Sequence, residues 1–367
     1  MIGGDTIIEV VTLLRIALPI IFATFAAQAP ELQTLPTAKR WSVALAARPV
    51  ASPTIAGDVI VVALQSGHVV AYAAKDGTEA WRVPLRADQA IVADKTLLFV
   101  AAGEIIHALD AADGKVLWES PSGALTAPLL VHGGWVITAT AAQMTAYREI
   151  DGARVWTHDS PPLHERPTIE GNNLYVPLDD GRLLALNLEN GAERWTRFPA
   201  KGPLSQVLAL PERVFVGAAD KKFYVYDSGD GHDAGGQPWR LGSTVRGQPV
   251  SDGSRIFVVT MDNLVRAFDR RSGAIVWHEP LPYRAVGPAI AGTTLVVPGA
   301  TAEVRAFDLK TGKPAGQIKA EQTLIVPPVF QMSSTGMLVA AITGSVSADW
   351  TLVVLAPPEP PAPALRE

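Results

Sequence analysis

Side chains that could do chemistry recur in this sequence four residues before a glycine. They are Asp110, Asn187, Asp227, Asp269 and Asp308. Carboxylates and amides could coordinate a metal ion, and carboxylates could transfer protons. A catalytic or metal site is needed only once, however, whereas this pattern recurs along the chain. We therefore predict that these side chains accept backbone N–H bonds in tight turns, in which the glycine supplies a positive φ.

Two other segments combine histidine with acidic residues. DSGDGHDAGG (227–236) contains three aspartates and a histidine, but it lacks the alternating ligands and closing Glu of a calcium loop. His158 and His164 are six residues apart, which is not a zinc-ligand spacing. The chain has no cysteine, which excludes thiolate ligands and nucleophiles. We expect no catalytic residue and no bound metal.

Composition limits the possible partners and predicts export. Hydrophobic residues make up 48% of the 367 residues, and the net charge is −5 with no basic cluster, so nucleic acid is not an expected partner. The uncharged run IALPIIFATFAA (16–27) and the following Ala-Gln-Ala predict a signal peptide or N-terminal anchor over residues 1–29. We assign 30–37 to a linker and the Pro-rich 357–367 to a disordered tail.

One unit of about 40 residues repeats along the chain. Its most regular copies are ALDAADGKVLW (108–118), ALNLENGAERW (185–195) and AFDRRSGAIVW (267–277). The tryptophans at 81, 118, 156, 195, 239 and 277 are 37, 38, 39, 44 and 38 residues apart, and the longest interval contains the insertion GHDAGGQP. A seventh copy, AFDLKTGKPAG (306–316), ends in Gly316 where a tryptophan would stand. Such a period is typical of solenoids and β-propellers.

The content of each unit favours a propeller. Residues 53–85 contain four short β-branched or apolar runs separated by turn residues, and no run has helical periodicity. Seven units have their own turn, and three further strands follow them without a fourth. AKRWSVAL (38–45) supplies that fourth strand, with its own Trp41. The sequence therefore predicts an all-β fold over 38–356, an eight-bladed propeller of four-stranded antiparallel blades closed by the N-terminal strand.

The tryptophans have an expected structural role. Each is large enough to lie over the neighbouring blade and bury apolar area there. We predict this blade-docking role for Trp41, Trp81, Trp118, Trp156, Trp195, Trp239 and Trp277.

The pattern A-x-D-x-x-x-G-x-x-x-W resembles the tryptophan-docking repeat of the pyrroloquinoline quinone (PQQ) β-propellers. The resemblance covers about residues 38–356 and implies two different functions. Quinoprotein dehydrogenases hold PQQ and Ca²⁺ on the propeller axis, are longer, and carry a vicinal Cys–Cys pair that this chain lacks. BamB-type proteins of the outer-membrane assembly machinery are eight-bladed periplasmic scaffolds without the cofactor. The chain is closer to the second group in size and repeat number.

One local match supports the scaffold. STVRGQPV (243–250) is similar to the LSLRGES-type loop through which BamB contacts its membrane partner, and Val245, Arg246 and Gly247 occupy the matching positions. Ser243 departs from the leucine of that loop, and PYRAVGPA (282–289) has no counterpart of the acidic pair that BamB uses. An ordinary inter-blade loop with an exposed arginine is the alternative.

We therefore expect an exported, monomeric, non-catalytic scaffold without cofactor or direct lipidation, in the periplasm or associated with the cell envelope. We expect its partner to be a protein of the envelope or of outer-membrane protein assembly. The alternatives are a PQQ/Ca²⁺ oxidoreductase and a propeller that binds or senses a small molecule.

Overall fold

The computed structural model describes residues 38–299, 301–333, 336–345 and 349–357. The expected signal or anchor (1–29), the linker (30–37) and residues 358–367 of the expected tail lie outside them. The strands of the first half of the chain are β1 (Ala38–Ala44), β2 (Thr54–Ala56), β3 (Val59–Leu64), β4 (His68–Ala73), β5 (Glu79–Val83), β6 (Val92–Asp94), β7 (Leu97–Ala102), β8 (Ile105–Asp110), β9 (Val116–Pro121), β10 (Leu130–His132), β11 (Trp135–Ala139), β12 (Gln143–Arg148), β13 (Arg154–Asp159), β14 (Thr168–Glu170), β15 (Asn173–Pro177), β16 (Leu183–Asn187) and β17 (Glu193–Arg197). Those of the second half are β18 (Leu208–Ala209), β19 (Arg213–Gly217), β20 (Lys222–Asp227), β21 (Trp239–Arg240), β22 (Val245–Ser251), β23 (Arg255–Thr260), β24 (Leu264–Asp269), β25 (Ile275–Pro280), β26 (Ala289–Ala291), β27 (Thr294–Val297), β28 (Glu303–Asp308), β29 (Pro314–Lys319), β30 (Val329–Ser333), β31 (Gly336–Thr343) and β32 (Thr351–Ala356).

These strands form eight four-stranded antiparallel sheets. Seven are continuous in sequence, from blade 1 (β2–β5) to blade 7 (β26–β29), and blade 8 has the order β1-β32-β31-β30. The first strands of neighbouring blades contact one another, for example β2 with β6 and β30 with β2, so they form the innermost ring. The prediction of an eight-bladed propeller is confirmed. None of the described residues belongs to a helix able to span a bilayer.

The N-terminal strand closes the ring as predicted. β1 is the outermost strand of blade 8 and pairs antiparallel with β32, from Ala38 opposite Ala356 to Ala44 opposite Thr351. This pairing gives blade 8 its fourth strand, so the edge of β32 is covered and no blade is left with three strands.

The second and third strands of the blades carry the core. β3 is buried at every position, and four of the six residues of β4 are buried. Continuous β-branched and apolar runs of this kind suit strands that are covered on both faces. Because each blade is covered by its two neighbours, the core consists of successive inter-blade layers.

Alternating strand direction gives the ring two faces. In each of blades 1–7, the turn between the first two strands and the glycine turn between the last two lie on one face, which we call the turn face. The hairpin between the second and third strands and the connection to the next blade lie on the opposite face, the connection face.

The glycine turns have the predicted geometry. The seven turn glycines have φ between 67° and 78°. Asp269 Oδ1 accepts the backbone N–H groups of Arg271 and Ser272, and Asp308 Oδ1 accepts those of Lys310 and Thr311. These carboxylates therefore accept the N–H groups of the turns. The largest single effect on the pKa is hydrogen bonding for Asp269 and burial, which raises it, for Asp308. In both groups hydrogen bonding outweighs burial, so the pKa is lowered.

Each of these turns also receives a tryptophan from the preceding blade. A Cβ added at Gly114 would lie 2.6 Å from Cε3 of Trp81, so the indole lies directly against the glycine. Trp81 Nε1 donates to the carbonyl oxygen of Ala111 in the same turn at 2.9 Å. The equivalent indole bonds run from Trp41 to Ala74, Trp118 to Glu149, Trp156 to Leu188, Trp195 to Ser228 and Trp277 to Leu309, at 2.7–3.3 Å.

Trp239 occupies the equivalent position between blades 5 and 6, but its indole has a different orientation. The position of a Cβ at Gly273 falls against its Nε1 and Cε2 rather than against Cε3 and Cδ2. Its indole has no acceptor among the described residues, and it packs instead between Phe215, Phe223 and Phe268, at ring-centroid distances of 5.5–5.8 Å. The insertion before Trp239 accompanies this changed orientation.

The seam between blades 7 and 8 lacks a docked tryptophan. Gly316 pairs with Ala306 in the register that Trp277 has with Ala267 one blade earlier. A cavity of about 200 Å³ lies on this seam, lined by Val304 and Ile318 of blade 7 and by Val339 and Val353 of blade 8.

Candidate protein-interaction surface

The segment STVRGQPV is not a simple loop. Most of it forms β22, the innermost strand of blade 6, and its pairing with β23 is interrupted by a bulge between Arg246 and Val250. The start of β22 lies on the connection face, immediately after blade 5. β-Bulges bend the strand that contains them and are common next to functional sites.

Gly247 fixes this bulge against the next blade. Its φ is +66°, and an added Cβ would fall against the carbonyl oxygen of Val286 and 2.9 Å from the Cα of Gly287. Both the backbone conformation and the close approach therefore require glycine. Gly247, which the sequence predicted as a partner contact, therefore also packs β22 against the connection at Val286 and Gly287.

Arg246 lies across the gap between blades 6 and 7. Its Nη1 donates to the carbonyl oxygen of Ala285 at 3.2 Å, and its Nε lies 3.1 Å from the sulfur of Met261. Partial burial lowers the pKa of Arg246, and the nearby positive charge of Arg284 lowers it further. Arg246 and Arg284 are thus close enough to interact, and neither forms an ion pair with a described residue. The carboxylates of Asp262 and Glu303 are paired with Arg266 and Arg305 instead.

An ion pair supports the hairpin that carries Met261. Arg266 is buried and its Nη2 donates to Asp262 Oδ2 at 2.7 Å, while Nη1 bonds to the hydroxyl of Thr260. Burial raises the pKa of Asp262, but the bonds from Arg266 and Thr260 lower it more, so the net shift is downward. Met261 stays 47% exposed on this hairpin.

Tyr283 anchors the connection that carries Arg284. Its ring is buried, and its hydroxyl donates to the carbonyl oxygen of Val297 at 2.5 Å and accepts the N–H of Arg305 at 2.9 Å. Burial raises the pKa of Tyr283 to about 12. The backbone beside Arg284 is therefore fixed to blade 7.

We call Val245, Arg246, Met261 and Arg284 the blade 6 corner. It combines two guanidinium groups, an exposed thioether and a half-buried valine on three segments held by buried bonds. Arginine and methionine are enriched at protein interfaces, and a rigid presentation reduces the ordering cost of binding. The corner can bind an acidic group next to an apolar side chain. It offers no nucleophile or general base.

The sequence predicted Val245, Arg246 and Gly247 as partner contacts, and Met261 and Arg284 are added to that prediction by the structure. Arg284 lies in PYRAVGPA, the segment that lacks the acidic pair of BamB, and its basic charge is the feature of that segment visible in the sequence. Met261 had no sequence signal, because only the β23–β24 hairpin brings it to Arg246.

The insertion in blade 5 brings Asp227, Asp230 and His232 together, with potential ligand atoms within 4.8 Å of one another. Asp227 already accepts the N–H of Gly229, and Asp230 bonds to His232 Nδ1 at 2.6 Å. Asp230 and His232 are exposed. These internal bonds account for the cluster, and we assign no ion to it.

Comparison with known proteins identifies the family. The sequence model described as "Outer membrane protein assembly factor BamB" matches residues 29–126, 65–209, 140–234 and 211–325. The chain belongs to the BamB family. BamB of Burkholderia pseudomallei is 28% identical over 273 residues, which are 71% of this chain and 63% of that protein. BamB of Yersinia pestis is 23% identical over 333 residues, covering 81% of this chain and 83% of its own. The chain thus aligns with less than two thirds of the Burkholderia BamB.

Solved structures support the fold. BamB from Moraxella catarrhalis superposes with a TM-score of 0.67 at 19% identity, covering 87% of this chain and 97% of its own. A quinohemoprotein alcohol dehydrogenase from Pseudomonas putida superposes with a TM-score of 0.66 at 14% identity, covering 90% and 78%. BamB and the dehydrogenase therefore share a propeller with this chain, and chemistry must be argued from side chains.

The propeller axis is where a PQQ–calcium pair would have to bind. A cavity of about 310 Å³ lies there on the connection face, lined by twelve described residues from blades 1, 2, 3, 4 and 8. Ca²⁺ requires several oxygen ligands, mostly carboxylates and amides. The twelve include no Asp, Glu, Asn or Gln, and their one charged side chain is Arg166. This set of donors does not fit a calcium-bound quinone.

Proposed function

We propose that this protein is a non-catalytic scaffold of the cell envelope that acts in outer-membrane protein assembly. In this role it binds a protein partner at the blade 6 corner. The observation that carries the proposal is the pair Arg246 and Arg284 beside exposed Met261, on segments held by buried bonds. Membership in a family named for outer-membrane protein assembly supports the same role.

The corner favours a partner with a particular chemistry. Two guanidinium groups on one area bind carboxylates well, because each can form paired charge-assisted bonds. Met261 adds a polarisable apolar contact that adapts to the shape of the partner. We therefore expect an acidic residue next to an apolar one on the partner surface. Residues 1–29 would direct export to the periplasm.

A photo-crosslinking amino acid tests this placement. It is introduced in place of Met261 in the full chain and, as a matched control, in place of exposed Lys310 on the turn face. The proposal expects an adduct with an outer-membrane assembly component from native envelopes at position 261 and none at 310. An adduct at 310 alone, or none at either position, would contradict it.

A charge reversal tests the electrostatic part. Arg246→Glu places a carboxylate beside Arg284, so the corner loses two units of charge while the new residue gains a partner. We expect affinity for the crosslinked partner to fall about ten-fold or more, because the corner no longer attracts a carboxylate. A ten-fold fall corresponds to about 1.4 kcal/mol of binding free energy. Arg271→Glu, on an exposed turn of the opposite face, changes net charge equally and should leave affinity unchanged. Equal losses would indicate a long-range charge effect instead of a contact.

A further inference from the structure

The axial cavity contains an arginine with no counter-charge. Arg166 lies in the connection between blades 3 and 4, two residues before β14 begins, and lines the cavity with residues of blades 1, 2, 3 and 8. Among the described residues, none hydrogen-bonds to its guanidinium or forms an ion pair with it, and this includes its neighbour Glu165. Burial lowers the pKa of Arg166.

The equivalent positions of the ring show that this arginine is exceptional. Arg166 lies two residues before Thr168, which pairs with Tyr175 across the first two strands of blade 4. Each of the other blades has a residue at the equivalent position. In all seven other blades that residue is neutral, for example Ser52, Ala90 and Pro128. The repeat therefore does not need a cation here for packing.

A second unused donor faces the same cavity. The hydroxyl of Ser52 lines it and has no partner among the described residues, whereas the hydroxyl of Thr54 donates to the carbonyl oxygen of Ile91 at 2.7 Å. Most other lining residues are apolar, including Ile55, Val92 and Leu129. An apolar pocket with a few convergent polar groups is typical of a small-molecule site, and about 310 Å³ is at the lower end of such sites.

We propose that the axial cavity binds a small oxyanion, with its carboxylate or phosphate group on Arg166 and Ser52. A guanidinium offers a planar fork of donors that matches either group, and a low-dielectric cavity strengthens such bonds. An oxyanion would supply the missing counter-charge. The apolar lining would cover a short carbon skeleton if the anion carries one.

Thermal unfolding of the full chain in chloride buffer, with added inorganic phosphate or succinate, tests the proposal. Up to about 10 mM of the bound anion should raise the melting temperature progressively, because a ligand that binds only the folded state stabilises it. Stabilisation by phosphate alone or by succinate alone identifies the anionic group that the cavity prefers, and either result supports the site. No stabilisation by either anion would overturn it.

Variants assign the effect to the cavity. Arg166→Gln should weaken anion binding at least ten-fold, and Ser52→Ala several-fold, while Arg271→Gln on the exposed turn should leave it unchanged. Without anion, Arg166→Gln should melt at the same temperature as the wild type or higher, because it removes an unpaired cation from the cavity. Undiminished anion binding by Arg166→Gln, or a large fall in its anion-free melting temperature, would contradict the proposal.

Discussion

Gly114→Ala tests how the tryptophan-docking repeat stabilises the ring. Gly114 has φ +74°, and a Cβ there would lie 2.6 Å from Cε3 and 2.8 Å from Cδ2 of Trp81. The substitution therefore strains the turn and also pushes away the indole of the preceding blade. Displacing the indole breaks the bond from Trp81 to the carbonyl oxygen of Ala111.

The expected loss can be built from its parts. Holding alanine in the left-handed region costs about 1–2 kcal/mol. Forcing an extra carbon into a packed site costs about 1–3 kcal/mol. Losing the buried indole bond costs about 1 kcal/mol more. We therefore expect Gly114→Ala to lower the free energy of unfolding by about 3–6 kcal/mol.

Gly133→Ala is the matched control on the same face of the ring. Gly133 has φ +60°, but nothing lies within 4 Å of its added Cβ. Gly133→Ala introduces the same backbone strain but displaces no indole, so we expect it to lower the free energy of unfolding by about 1–2 kcal/mol. The difference between the two variants measures the contribution of the docked tryptophan.

Urea unfolding followed by circular dichroism and by tryptophan fluorescence gives both values. The two probes should report coincident transitions, which is the condition for comparing free energies. The midpoint should fall much further for Gly114→Ala than for Gly133→Ala at a similar slope. Equal losses would refute the reasoning, because the turn conformation alone would then explain the role of Gly114.

Two further outcomes follow from the same geometry. Trp277→Phe leaves the carbonyl oxygen of Leu309 without its donor, whereas Trp239→Phe removes no indole bond, so Trp277→Phe should cost about 1 kcal/mol more of unfolding free energy in a urea titration; a larger loss for Trp239→Phe would contradict this. Asp262→Asn should cost about 1–2 kcal/mol at neutral pH because it weakens the pair with buried Arg266. The pKa of Asp262 is lowered in the folded state, so its stabilisation is fully present above the unfolded value near about 4 and is lost as pH falls through the folded value. The difference in unfolding free energy between wild type and Asp262→Asn should therefore shrink progressively as pH falls below about 4. A constant difference down to about pH 2 would contradict this.

Much of the architecture was predictable because the repeat is local. The spacing of the glycine turns gave seven blades, and the unpaired strand containing Trp41 gave the eighth. Hydrogen bonding by Asp269 was also predictable, since an Asx turn depends only on residues close in sequence. That Trp81 lies on the glycine of the next blade is a relation between repeats, which the spacing within one repeat does not express.

The candidate sites were less predictable because they depend on departures from the repeat. The segment containing Arg246 was expected as a loop, but a bulge lets it pair as β22 while Gly247 packs on the next connection. Arg166 had no signal in the sequence taken alone. Its significance appears only when the register aligns it with seven neutral residues around the axis.

The missing tryptophan at Gly316 determines where this ring should open. The core of each blade is covered by its two neighbours, so the buried strands become exposed only when two neighbouring blades separate. Seven of the eight seams have a tryptophan lying across them, and the seam between blades 7 and 8 has a cavity and an exposed ion pair between Lys39 and Glu321. Amide exchange should therefore be fastest, among the buried strands, in β28 and β31 on either side of this seam. The seam adjoins the strand that closes the ring, so closure during folding and first opening during unfolding would occur in the same part of the molecule.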